Sequence, residues 1–124
     1  MTILVVDDEE PVRNLVAEIF RRDGYRVLFA DSVLDAFRRW RGCRGSVDLV
    51  VTDFHLGNLT AVALINAIRA DVRTCPFIVL SGAMSAEERA AVNSEVAEIL
   101  CKPVRPAELL DAARRVLVRI TSGA

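Results

Sequence analysis

No apolar run in the chain approaches the ~20 residues a helix needs to cross a bilayer, which argues against a membrane-spanning helix. The opening residues carry no secretory pattern, and Cys43, Cys75 and Cys101 form no C-x-x-C pair. An odd number of cysteines at wide spacing argues against a disulfide framework and for reduced thiols in the cytoplasm. Histidine occurs once, at His55, so a His/Cys metal site has too few ligands. A glycine-rich loop is missing after the first apolar run, which argues against a nucleotide-binding protein. The net charge of −1 gives no overall pull toward nucleic acid or an anionic membrane. Lysine is nearly absent, with one against fifteen arginines.

What is present is the balance of a soluble globular domain, 52% hydrophobic and 27% charged, in a length that suits one domain with little left over. Ile3 to Val6, Val47 to Thr52 and Phe77 to Leu80 are nearly continuous apolar runs, as strands buried on both faces should be. Arg26 to Ala30 and Ala97 to Cys101 are weaker strand patterns. Helical periodicity fills the intervals. Val12, Leu15, Val16, Ile19 and Phe20 form one stripe, with Pro11 in its first turn and Gly24 placed to end it. Val33, Ala36, Phe37 and Trp40 form a second, with Ser32 as N-cap. Leu64, Ile65 and Ile68 mark a third. Ser85 and Glu88 have the spacing of a capping box before a fourth, whose apolar face (Ala90, Ala91, Val92) is poor. A fifth runs from about Pro106 to Ile120 on Leu109, Leu110, Ala113, Val116, Leu117 and Ile120. Five strands alternating with five helices predict a doubly wound (βα)5 parallel sheet of the flavodoxin-like kind, helices on both faces, over residues 1–121. Residues 122–124 read as a tail or linker stub, in a frayed end that begins at Thr121.

Sites in such sheets lie at the carboxyl ends of the strands, so the polar residues there carry the chemistry. The first strand ends in Asp7-Asp8-Glu9-Glu10, the third in Asp53, the fourth in Ser81 and the fifth in Lys102-Pro103. Carboxylates ~4 Å apart repel by ~4 kcal/mol per pair at an effective dielectric of ~20. Gathering three of them requires protonation or a cation, and an all-oxygen site suits Mg²⁺ completed by phosphate oxygens. Lys102, the sole lysine, adds a mobile point charge for the same phosphate.

Val5-Val6-Asp7-Asp8-Glu9, Asp53 after an apolar strand, Leu80-Ser81-Gly82 and Lys102-Pro103, in this order, resemble the receiver domain of two-component response regulators. The resemblance spans roughly residues 2 to 120. It implies that Asp53 is the phosphoacceptor, a carboxylate nucleophile that forms an acyl phosphate. It also implies Mg²⁺ held by Asp8, Asp53 and the backbone carbonyl of His55, with Asp7 acting through water. Ser81 and Lys102 would bind phosphoryl oxygens, and Pro103 would follow a cis peptide. The implied donor is a phosphohistidine on a sensor histidine kinase or a histidine phosphotransfer protein. An output domain or partner protein and a homodimer are further partners of such domains; direct nucleic-acid binding and membrane contact are not expected.

The chain departs from the family pattern in the loop after the acceptor, Leu56-Gly57-Asn58-Leu59-Thr60-Ala61, where Met-Pro and a later glycine are usual. Gly57 should loosen a turn that proline would fix. Ile99 stands where an aromatic switch residue is common, and Ala83 cannot steer an attacking water. Simpler roles compete for some residues. Asp7 or Asp8 could be only the N-cap of the Pro11 helix, and His55 only a surface side chain. Cys101 is expected to pack in the core, its side chain pointing away from the site. Arg38, Arg39, Arg41 and Arg44 read as a solvated basic face at a helix C-terminus. Two other functions stand against the receiver reading. A dedicated phosphatase needs a second acid placed as general acid, which the adjacent Asp7-Asp8 pair makes awkward. An interaction module that works without phosphorylation would have no need of a metal.

Overall fold

A computed structural model describes residues 1–43, 46–71, 75–93 and 96–122, with 93 and 120–122 described by backbone only. Arg44, the side chain of Ile120, and Gly123 and Ala124 lie outside the described residues. Strands β1 (Thr2–Val6), β2 (Arg26–Ala30), β3 (Leu49–Asp53), β6 (Phe77–Ser81) and β7 (Glu98–Cys101) form one parallel sheet in the order β2-β1-β3-β6-β7. The short strands β4 (His55–Leu56) and β5 (Leu59–Thr60) pair as a separate antiparallel hairpin. Helices α1 (Glu10–Arg22), α2 (Val33–Gly42), α3 (Ala61–Arg69), α4 (Ala86–Asn93) and α5 (Pro106–Ser122) complete the chain.

Strand alternation divides the core into two layers. Ile3 and Val5 face one side with Leu49, Val51, Ile78 and Leu80, where α1 contributes Val16 and Phe20 and α5 contributes Leu109, Ala113 and Val116. Leu4, Val6, Val50, Phe77 and Val79 face the other side against Ala36 and Trp40 of α2, Leu64, Ile65 and Ile68 of α3, and Val92 of α4. Each fully buried large side chain is worth roughly 1.5–3 kcal/mol, so the three central strands, β1, β3 and β6, buried along their whole length, are the firmest part of the fold.

Local signals set the helix ends. Ser32 Oγ accepts the Asp35 N–H at 3.1 Å, capping α2. Ser85 and Glu88 exchange two side-chain-to-backbone bonds of 3.0 Å each, the reciprocal box at the start of α4. Gly24, at φ +95°, turns the chain out of α1, and the Tyr25 N–H reaches back to the Phe20 carbonyl at 3.1 Å.

Several expectations are corrected. The strand predicted over Val47 to Thr52 begins at Leu49, although Val47 is buried beside it. Leu15 is 63% exposed, because α1 turns Val16, Ala17 and Phe20 inward instead. Cys101 is exposed, at the end of the edge strand β7. None of the three cysteines is in a disulfide. Thr121 and Ser122, read as the start of a frayed end, belong to α5. Ala90 and Ala91 are exposed, which leaves Val92 as the buried residue of the α4 face. Among the described residues no helix is long and apolar enough to cross a membrane.

Candidate functional site

The sheet order reverses between β1 and β3, where the chain leaves β1 for β2 on one side and returns to β3 on the other. Register brings the carboxyl ends of four strands together at that point. Val6 pairs with Thr52, so Asp7 and Asp53 follow side by side. Asp53 pairs with Leu80, Ser81 pairs with Cys101, and the Lys102 N–H donates to the Ser81 carbonyl at 2.8 Å. The polar residues sit here because each lies at, or just beyond, the carboxyl end of a strand of the sheet.

Asp7, Asp8 and Asp53 each offer a carboxylate oxygen within 4.8 Å of the others. Asp7 and Asp53 are buried, at 2% and 8% exposure, whereas Asp8 is exposed. The Lys102 ammonium lies 3.3 Å from Asp53 Oδ1 and 3.5 Å from Asp7 Oδ2. Backbone donors hold the rest: Glu9 N–H to Asp7 Oδ1 at 2.9 Å, Phe54 N–H to Asp53 Oδ1 at 3.0 Å, and Gly57 N–H to Asp8 Oδ2 at 3.0 Å. Ser81 is 3% exposed and its Oγ has no hydrogen-bond partner among the described residues. A buried hydroxyl without a partner costs about 1–3 kcal/mol, which marks a place where an acceptor is missing. The Lys102–Pro103 peptide is cis.

Burial raises the pKa of Asp53 above its ordinary value; Lys102 pulls it down, and Asp7 adds to the rise. For Lys102 the balance is reversed. Burial acts to lower its pKa, but Asp53 and Asp7 together outweigh that and hold the ammonium charged. One cation thus serves two buried carboxylates, and the site carries an excess of negative charge with an open exposed acid at its rim. An oxygen-only donor set of this charge fits Mg²⁺, and the unpartnered Ser81 hydroxyl beside a lysine fits a phosphoryl oxygen.

The N-cap of α1 is Glu9, without a side-chain bond, so neither Asp7 nor Asp8 is committed to capping. The His55 side chain is exposed and rests edge-on against Phe54, with centroids 4.9 Å apart, outside the carboxylate group. Ile99 is half-buried and packs on the α2–α3–α4 layer. Sequence reasoning missed the Gly57 amide as a site component. Gly57 holds φ +66° between β4 and β5, a conformation closed to proline, so this turn is not one that proline would fix. Gly57-Asn58 between two leucines was the available signal, a two-residue hairpin turn.

A model of the response regulator receiver domain family matches residues 3–114. The two-component response regulator ORR7 of Oryza sativa subsp. japonica is 28% identical over 93% of this chain and 56% of its own. The phosphate regulon transcriptional regulatory protein PhoB of Pseudomonas aeruginosa is 30% identical over 98% of this chain and 54% of its own. The chain therefore spans about half the length of these two relatives. A response regulator receiver domain protein from Clostridium thermocellum has a crystal structure with a TM-score of 0.90 and 26% identity, covering 99% of this chain and 98% of that one.

Proposed function

The chain belongs to the response regulator receiver domain family, and we propose that it is a phosphoacceptor signalling domain that takes a phosphoryl group from a phosphohistidine donor onto Asp53. The observation that carries this reading is the pairing of a buried acceptor carboxylate with the half-buried Lys102 ammonium at 3.3 Å, next to a buried serine hydroxyl that has no partner among the described residues. The donor is a sensor histidine kinase or a histidine phosphotransfer protein. The reaction is confined to the domain's own aspartate, without turnover of an outside substrate.

Phe54 N–H and the Lys102 ammonium both address Asp53 Oδ1. We assign Oδ2 as the nucleophile that attacks phosphorus, while the phosphoryl–nitrogen bond of the donor breaks and the imidazole leaves. Lys102 exchanges a carboxylate partner for a phosphoryl oxygen, and Ser81 donates its unused O–H to another. Asp8, Asp53 and the His55 carbonyl would hold Mg²⁺, with Asp7 acting through water. When bound, the ion supplies positive charge that spreads over the transferring group in a reaction that is mostly positioning and electrostatics. Ser81 and Lys102, drawn toward the new phosphate, then bias the β6–α4 segment and change the surface presented to an output domain, a partner protein or a second copy. No nucleic-acid contact is assigned to this domain. Arg39 and Arg41 lie in the last turn of α2, where they complement the helix dipole. We place the exchange in the cytoplasm, where three cysteines outside any disulfide stay reduced.

The test is incubation with acetyl phosphate and Mg²⁺ followed by intact mass measurement. One phosphoryl group is expected on the wild type and none on Asp53→Asn. Labelling of Asp53→Asn at the wild-type rate would defeat the assignment.

A further inference from the structure

The three carboxylates are not held alike. Asp7 is fixed by Glu9 N–H and Lys102, and Asp53 by Phe54 N–H and Lys102. Asp8 is exposed and makes no ion pair with Lys102. Among the described residues its carboxylate has one hydrogen-bond donor, the Gly57 N–H at 3.0 Å, from a residue 49 positions along the chain. Without that donor an exposed aspartate would sample several rotamers in water, and any cation would have to order it on binding.

The donor sits on a built element. His55 pairs with Thr60 and Leu56 with Leu59, leaving Gly57-Asn58 as a two-residue turn. Leu56 is 4% exposed, and the Ala61 N–H bonds the Phe54 carbonyl at 2.7 Å, which ties the base of the hairpin to the end of β3. Gly57 itself is at φ +66°, and that conformation points its amide at Asp8. A proline there would lack the N–H and could not adopt that φ.

We propose that Gly57, through its backbone N–H, is the positioning residue for Asp8, so that the β4–β5 turn sets the affinity of the carboxylate group for a divalent cation. This inference rests on the Mg²⁺ reading above. Backbone and side-chain donors that orient a metal-binding carboxylate typically control affinity by 10–100-fold. By linkage, a cation bound at Asp8 stabilises the turn by the same factor with which the turn favours the cation.

The experiment replaces the Leu56–Gly57 amide with an ester in the full chain, assembled by ligation at Cys43 and Cys75. The ester removes one N–H and adds no Cβ or φ restraint. Mg²⁺ affinity is measured by calorimetry, with no phosphodonor present. About tenfold weaker binding than wild type is expected. In the wild type, saturating Mg²⁺ should slow exchange of the Gly57 amide by about the same tenfold factor. This second readout needs no variant to fold. Ester binding as tight as wild type, or Gly57 exchange indifferent to Mg²⁺ in a chain that binds it, overturns the proposal. Wild type that binds no Mg²⁺ overturns the functional reading, and this inference falls with it.

Discussion

Asp53 is 8% exposed, and the charges beside its carboxylate are one ammonium and a second buried carboxylate. Burial and Asp7 raise its pKa by more than Lys102 lowers it. The folded chain therefore keeps the Asp53 proton at pH values where the unfolded chain, at the ordinary 3.8, has lost it. Stability falls as pH rises through that window, and above it the ionised carboxylate remains a net cost to the fold. Lys102 has the opposite consequence. Its raised pKa contributes stability that is complete below the ordinary 10.5 and is lost as pH climbs through the folded value. Asp53→Asn keeps the shape of the side chain and removes the charge. In metal-free buffer the variant should be more stable than wild type at pH 7, with the gap closing on acidification toward pH 3.8. Urea midpoints across that range provide the measurement. A variant less stable than wild type at pH 7 would show that the Lys102 pair outweighs the burial of Asp53.

Helix α4 is held differently from the other elements around the sheet. It contributes Val92 to the core and starts with a capping box, two hydrogen bonds worth about 1 kcal/mol each. The next helix, α5, on the other face of the sheet, buries five of its described residues, Leu109, Ala112, Ala113, Val116 and Leu117. A phosphoryl group that draws in Ser81 acts on the strand leading directly into α4, and such a group can move only an equilibrium already close to balance. Ile99, β-branched and half-buried, has little surface to exchange between states, so the 81–85 segment and α4 should carry the change. Beryllofluoride with Mg²⁺ is expected to alter amide exchange in both by about tenfold, roughly 1.4 kcal/mol. Changes confined to the surroundings of Asp53, with none in α4, would rule this route out. The same contrast explains what the sequence made legible. The strands β1, β3 and β6 and the acids behind them were readable because buried parallel strands are continuous apolar runs that stop where chemistry starts. Four of the five helices were readable from their stripes, and α4 from its cap. The β4–β5 hairpin was not, because two-residue strands carry no period. Nor was the exposure of Leu15 and Cys101, which depends on how far α1 is rotated and on β7 lying at an edge.

Over the whole molecule seventeen acids and sixteen basic residues nearly cancel, yet the fold gathers Asp7, Asp8 and Asp53 around one lysine at a single sheet end. That concentration is imposed by register: the strands cannot pair as they do without setting Asp7 beside Asp53. The repulsion between Asp53 and the adjacent Asp7-Asp8 pair is therefore a cost carried by the global fold and absent from the unfolded chain, where Asp53 is far from both. A ligand that relieves it must bind the folded state alone, and its binding energy appears directly as folding stability. Mg²⁺ at a hundredfold excess over its dissociation constant should add ~2.7 kcal/mol. For a domain of this length that corresponds to a rise of roughly 10 °C in melting temperature. Asp8→Ala should lose most of the increment, because it removes the exposed one of the three carboxylates that the fold gathers. Its metal-free stability should differ from wild type by no more than ~1 kcal/mol, since a surface carboxylate with one hydrogen bond contributes little in water. Calorimetric melting with and without Mg²⁺, each against Ca²⁺ at equal ionic strength, separates specific binding from screening. A wild-type melting temperature indifferent to Mg²⁺ would mean that Lys102 alone neutralises the cluster, and that the acids are arranged for something other than a cation.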